Sequence, residues 1–300
     1  MRFGLVWRGD AAVTEVARRA EDLGYATLLF PDHTGMVAPL PAMAAAAAVT
    51  SRIRLATQVI NIAFRPLGAL AQELAAIDII SGGRLEIGLG AGYAEREVQS
   101  LGLPFPGTAA RIDQVARALA VLPRLFAGET VTEPGELVGR LDGFSLQPVP
   151  PQRAEVPLLV GGNGDRILAV AAQGARIVQF TGFTAAASQD RFRISHFTTD
   201  GLADRVAYVR ELAGDRFASL ELSLLVQRAA VVSDRRAAAD LLKDFPIPPE
   251  QALDSPFLLV GSVSELCDRI VELRERFGIS YLTVFDRNSD GFEQVVSRLA

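Results

Sequence analysis

Apolar residues fall along this chain in two alternating rhythms. Short continuous runs at Phe3–Trp7, Tyr25–Phe30 and Ile53–Ile60 read as buried strands. Between them apolar residues recur at helical spacing, as at Val13, Val16, Ala17, Ala20 and Leu23, with Asp10 placed to cap that first helix. An alanine-rich helix is predicted between Pro41 and Thr50. Another is opened by Pro66 and carries Leu67, Leu70, Leu74 and Ile77 on its core face. Gly82 and Gly83 close that helix, and Leu85–Leu89 reads as the fourth strand. Around its far end Gly88, Gly90 and Gly92 lack side chains, which would let backbone approach a flat ligand closely.

The second half repeats the unit less regularly. A helix is predicted over Arg111–Phe126, then a loop rich in Pro, Gly and Glu from Glu129 to Pro157. Strands five to eight are Val156–Val160, Ala175–Phe180, Leu220–Gln227 and Tyr281–Phe285. Helices are predicted at Asp165–Gln173, Ser262–Phe277 and Gly291–Leu299. The stretch Thr181–Asp200 is polar, dotted with aromatics and without clear period, an insertion of the kind that serves as a lid or stays disordered. Helix, glycine, then strand recurs at Gly24, Gly82, Gly174 and Gly278. Eight strands alternating with helices predict an α/β fold with parallel pairing. Closed, it is a (β/α)8 TIM barrel formed as one domain over 1–300, with insertions after strands four and six and before strand eight. A doubly wound open sheet is the structural alternative. In the barrel, reactive groups belong at the C-terminal ends of the strands.

Composition narrows the class. With 49% apolar residues and a net charge of −5, the chain reads as an ordinary globular protein with a large core and no nucleic-acid surface. The single Cys267 excludes a disulfide framework, and the run Val37–Val49 is too short to span a bilayer. No signal-peptide pattern follows Arg2, so a cytoplasmic protein without membrane or nucleic-acid partners is expected. Lys243 is the only lysine, a bias that fits a GC-rich genome better than a function.

The strand ends supply the candidate chemistry. Strand two delivers Asp32 and His33, one of two histidines. At a barrel rim His33 could move a proton at neutral pH, or simply hydrogen-bond at a loop start. Strand three delivers Gln58, Val59 and Asn61, and strand four Gly90, Ala91, Gly92 and Tyr93. Strand five ends in Gly161, Gly162, Asn163 and Gly164, which could present backbone N–H groups to an anion or only make a tight turn. His196 lies in the long insertion and reads as a surface or lid residue. The glycines of strand four fail the G-x-G-x-x-G register, and neither a P-loop nor a G-x-S-x-G elbow is present. Clustered metal ligands are absent from the rim positions.

Several of these segments together resemble the bacterial luciferase-like flavoprotein superfamily. They are Pro-Asp-His after strand two, Leu-Ala-Thr-Gln-Val-Ile-Asn on strand three and Ser-Gly-Gly-Arg-Leu-Glu-Ile-Gly-Leu-Gly-Ala-Gly-Tyr on strand four. Glu95, Glu97, Leu101-Gly102-Leu103-Pro104-Phe105 and the Gly161-Gly162-Asn163 turn are similar to the branch dependent on the deazaflavin coenzyme F420. The likeness is strong from residue 1 to about 180 and thereafter one of layout. It implies hydride transfer between F420 and a small organic substrate, in a homodimer. FMN-dependent monooxygenation with dioxygen and a non-catalytic cofactor-binding barrel are the alternatives. The resemblance implies that Asp32, Gln58, Val59, Asn61 and Gly90–Tyr93 line the ring and that Gly161–Gly164 holds the phosphate of its side chain. His33 would be the proton donor or acceptor, and Trp7, Phe64, Tyr93 and the 181–200 segment would shape the substrate cavity. It also implies a non-proline cis peptide at Gln58–Val59 within a bulge. Two departures stand out: Gln58 replaces a residue that is often small, and Tyr93 stands where some members place a carboxylate.

Overall fold

In a computed structural model the apolar runs form eight parallel strands. They are β1 (Arg2–Val6), β2 (Thr27–Phe30), β3 (Arg54–Thr57, continued by Ile60–Asn61), β4 (Leu85–Gly90), β5 (Leu158–Gly162), β6 (Ile177–Phe180), β7 (Glu221–Val226) and β8 (Ile279–Phe285). The structure describes residues 1–134, 140–185, 192–233, 235–243, 245 and 247–300. The strands are hydrogen-bonded in the order β3-β2-β1-β8-β7-β6-β5-β4, and Leu55 and Ala56 pair with Leu85 and Glu86 to close the ring. The result is the (β/α)8 barrel, not the open sheet.

Strand alternation sorts side chains between two cores. Phe3, Leu28, Phe30 and Leu55 point outward and meet Ala17, Leu70 and Leu74 of the surrounding helices in the main core. Val6, Leu29 and Ala56 point inward as a smaller cluster. The helix Leu67–Ser81 has a continuous buried face and ends at Gly82, whose φ of 67° is open to glycine without steric cost. Val263–Phe277 begins with a Ser262/Glu265 capping box and ends the same way at Gly278. Gly174 departs from this pattern. It is the last helical residue, and a Cβ there would sit 3.1 Å from Leu119, so packing and not a left-handed turn calls for glycine.

The first helix, Val13–Asp22, has Ala12 at its N-cap with no side-chain cap. Asp10, expected to cap it, instead pairs with Arg287 beyond β8. After β4 come a short helix, Glu95–Ser100, the helix Thr108–Phe126 and an antiparallel hairpin, Val131–Glu133 with Leu141–Phe144. The segment after β6, expected to lack regular structure, contains a hairpin of Phe183–Ala185 and Phe192–Ile194. Arg228–Val231, Leu258–Gly261 and Ser289–Asp290 form a separate three-stranded sheet. The sequence pattern predicts no strands at these positions, so this sheet is an addition to the expected barrel. No helix among the described residues is long and apolar enough to cross a membrane.

Candidate active site

The geometry of the barrel mouth starts from a mismatch between β3 and β4. Ala56 faces Glu86 and Ile60 faces Leu89, so β3 spends four steps where β4 spends three. The extra residue lies in a bulge that contains the cis Gln58–Val59 peptide bond. Thr57 repairs the interrupted ladder with its side chain: its hydroxyl accepts the Gly88 N–H and donates to the Gly88 carbonyl, both at 2.8 Å. The glycines of β4 admit this bulge. A Cβ at Gly88 would collide with the Thr57 carbonyl, one at Gly90 with Val59, and one at Gly92 would lie 2.7 Å from the Asn61 side chain. Their first task is therefore to accommodate a neighbouring strand, and the half-buried Val59 packs against the inner cluster of Leu159, Ile177 and Tyr281.

Gln58 does not present its amide as a free lining group. It bonds to Gln179 of β6, which also donates to Ser223 Oγ (3.1 Å) and Thr283 Oγ1 (3.2 Å). A polar layer thus crosses the barrel interior beneath the bulge. This explains how a large residue fits at position 58.

Asp32 is 6% exposed and accepts the Asn61 N–H at 3.1 Å. Arg65 grips the same carboxylate through Nη1 (2.6 Å) and Nη2 (3.1 Å). This two-point grip neutralises a charge that would be costly to bury alone. Sequence reasoning missed Arg65, which follows the bulge in an irregular turn and carries no motif. Asn61 is held twice over, since its Oδ1 accepts the Ala63 N–H at 3.2 Å.

His33 meets Glu97 of the helix Glu95–Ser100, with Nδ1 at 2.9 and 3.0 Å from the two carboxylate oxygens. Tyr93 lies edge-on to the imidazole, with ring centroids 5.6 Å apart. Ala91 offers its carbonyl to Arg111 Nε at 3.1 Å, while Arg111 stacks over Phe105. Arg111 also escaped sequence reasoning. So did Asp286 at the end of β8, which accepts the Arg8 N–H at 3.1 Å and whose carboxyl is pushed up by burial.

At the β5 end, Asn163 is buried and donates to the Ser195 carbonyl at 2.5 Å, pinning the hairpin after β6, while its Oδ1 has no partner. Gly164 opens the helix Asp165–Gly174 without a side-chain cap. Gly162 is small for a packing reason: a Cβ would lie 2.5 Å from Ile167 Cγ2. One expected cavity residue is elsewhere in character, and His196 lies at the surface as expected. Trp7 is 4% exposed, packs on Phe30 and donates to the Ala11 carbonyl, so it belongs to the core behind the mouth. His196 is exposed on the hairpin side, with Nδ1 2.7 Å from Ser195 Oγ.

The profile of the luciferase-like monooxygenase family matches residues 10–245. Among curated proteins, an F420-dependent glucose-6-phosphate dehydrogenase of Beutenbergia cavernae is 34% identical over 157 residues, 48% of this chain and 45% of that relative. The chain spans about half the length of the curated relatives it matches. Among solved structures, the F420-dependent tetrahydromethanopterin reductase of Methanopyrus kandleri superposes with a TM-score of 0.77 at 18% identity, covering 98% of this chain and 96% of that one. An F420-dependent secondary alcohol dehydrogenase in complex with an F420–acetone adduct gives the same values. At that identity the likeness concerns the fold.

Proposed function

The chain belongs to the luciferase-like monooxygenase family, and from that premise we propose that it is an oxidoreductase passing hydride between coenzyme F420 and a small organic substrate. The observation that carries this reading is the meeting of three strand ends at one rim. The Asp32–Arg65 pair, the His33–Glu97 pair and the Val59 bulge all gather there.

The residues present fit a flat ring with a phosphate on its side chain. Val59 and the glycine-lined end of β4 offer an apolar seat, and Gly90, Ala91, Gly92 and Tyr93 complete that side. The uncapped first turn after Gly164 leaves backbone N–H groups for an anion, with Gly161, Gly162 and Asn163 shaping the approach. When bound, the deazaflavin supplies the hydride-carrying chemistry. Asp32, gripped by Arg65, fixes the backbone at Asn61 and so the edge of the seat. His33 holds or takes the proton that accompanies hydride transfer. On the β7–β8 side, Leu225 and Phe285 are half-buried against Val6 and Leu29. A homodimer is the assembly this reading expects.

Equilibrium titration with F420 and with FMN tests the assignment. Tighter F420 binding is expected. Tighter FMN binding would overturn it in favour of a dioxygen-using flavin monooxygenase, and F420 binding without turnover of any alcohol or carbonyl substrate would leave a cofactor-binding barrel.

A further inference from the structure

Glu97 does more than approach His33. Both of its oxygens lie at hydrogen-bond distance from Nδ1, and Oε2 also accepts the Thr34 backbone N–H at 3.3 Å. The carboxylate is thereby tied to the same loop as the imidazole and cannot swing away without leaving that N–H unpaired. An ionised carboxylate only accepts hydrogen bonds, so the proton between the two side chains sits on Nδ1. The other nitrogen, Nε2, then carries the lone pair of the neutral ring. The side chains of His33 and Glu97 are 33% and 23% exposed, so the pair is reachable from the mouth and not sealed in the core.

The groups around the ring leave this role to Glu97. Asp32 is the neighbouring carboxylate, but Arg65 and the Asn61 N–H occupy its oxygens. Tyr93, on the end of β4, meets the ring by its edge. We propose that Glu97 is the positioning residue of His33, holding the imidazole as the Nδ1–H tautomer so that Nε2 is the atom that exchanges the substrate's proton. This rests on the reading that His33 moves a proton in the proposed reaction. When Nε2 takes a proton from a substrate O–H, the O–H electron pair stays on oxygen and the N–H bond forms. The positive charge then placed on the ring faces the Glu97 carboxylate, which stabilises it. In the reverse direction the same Nε2–H returns the proton.

The chain has two histidines, so the tautomer can be read directly. Two-bond hydrogen–nitrogen correlation spectra of protein labelled at histidine nitrogen would resolve both rings, with His196→Gln assigning them. The expected result at a pH where the ring is neutral is a protonated Nδ1 and a bare Nε2 at His33. Glu97→Ala should shift the population severalfold toward the Nε2–H form, while Glu97→Gln, which keeps an acceptor oxygen, retains most of the original form. Under turnover with F420, Glu97→Ala should lower kcat by about tenfold or more and alter its pH profile, with cofactor affinity unchanged. An unchanged tautomer in a folded Glu97→Ala variant would overturn the proposal. If the tautomer responds but His33→Gln retains full turnover, the positioning stands and the proton-transfer reading of His33 fails.

Discussion

Gly88 faces the Thr57 carbonyl across the β3–β4 seam at a separation no side-chain carbon tolerates. Gly88→Ala must push the β3 backbone out of the bulge, and the expected loss is about 3 kcal/mol, at the upper end of overpacking costs. Gly164 provides the contrast. Its φ of −80° suits any residue, and a Cβ there would lie 3.9 Å from Thr184 Cγ2. Gly164→Ala should therefore cost about 1 kcal/mol or less. Urea denaturation of the two variants checks this, and equal losses would contradict the template role of Gly88. The same geometry disqualifies Gly162 as a clean probe of phosphate binding, since a larger residue there strikes Ile167 before it reaches any ligand. At this scale the sequence displayed the glycines, but their partners were in another strand and out of its view.

Elements are joined by clamps that neither partner's sequence announces. Glu21, in the last turn of the helix Val13–Asp22, accepts the backbone N–H groups of Ser51 (3.1 Å), Arg52 (2.6 Å) and Ile53 (2.8 Å) just ahead of β3. Burial alone would raise its carboxyl, but the three N–H groups outweigh it and hold the group below its ordinary value of 4.5. A carboxyl depressed on folding contributes stability that is fully present above the unfolded value and lost as pH falls through the folded one. Glu21→Gln should thus cost about 1–2 kcal/mol near neutral pH and much less in acid, once the folded carboxyl is protonated. Denaturation midpoints at both pH values measure it, and an equal loss at each would contradict the clamp. The barrel strands and most of the long helices were legible because burial imposes their period on the sequence, the helix Thr199–Ala213 being the exception. The hairpins were not, because strands of three residues are too short to show a period.

The whole barrel is drawn together at the end opposite the site. Glu86, 1% exposed on β4, takes Arg2 of β1 at 2.5 Å and Arg54 of β3 at 2.6 Å, while Arg2 reaches Glu221 of β7 at 2.5 Å. Four strands are thus cross-linked through one charged layer. Glu86→Ala would leave two part-exposed guanidinium groups without their shared carboxylate and should cost about 2–3 kcal/mol. Glu272→Ala, which breaks an exposed pair with Arg276, should cost about 0.5 kcal/mol or less. Chemical denaturation of both variants separates the cases. A loss at Glu86 as small as that at Glu272 would mean the layer adds nothing to closure.

The sequence by itself determined the eight barrel strands and most of the helices between them, the barrel they close into and the family to which the chain belongs. These follow from local periodicity and from contiguous motifs, which survive in one dimension. Tertiary structure alone decided which chemical groups meet. Arg65 reaches Asp32 across 33 positions and Glu97 reaches His33 across 64, and only barrel closure sets those strand ends side by side. Likewise Gln58 turned inward because Gln179, Ser223 and Thr283 converge from three other strands at its level. Contacts of this kind depend on strand register and closure, which a linear pattern does not encode.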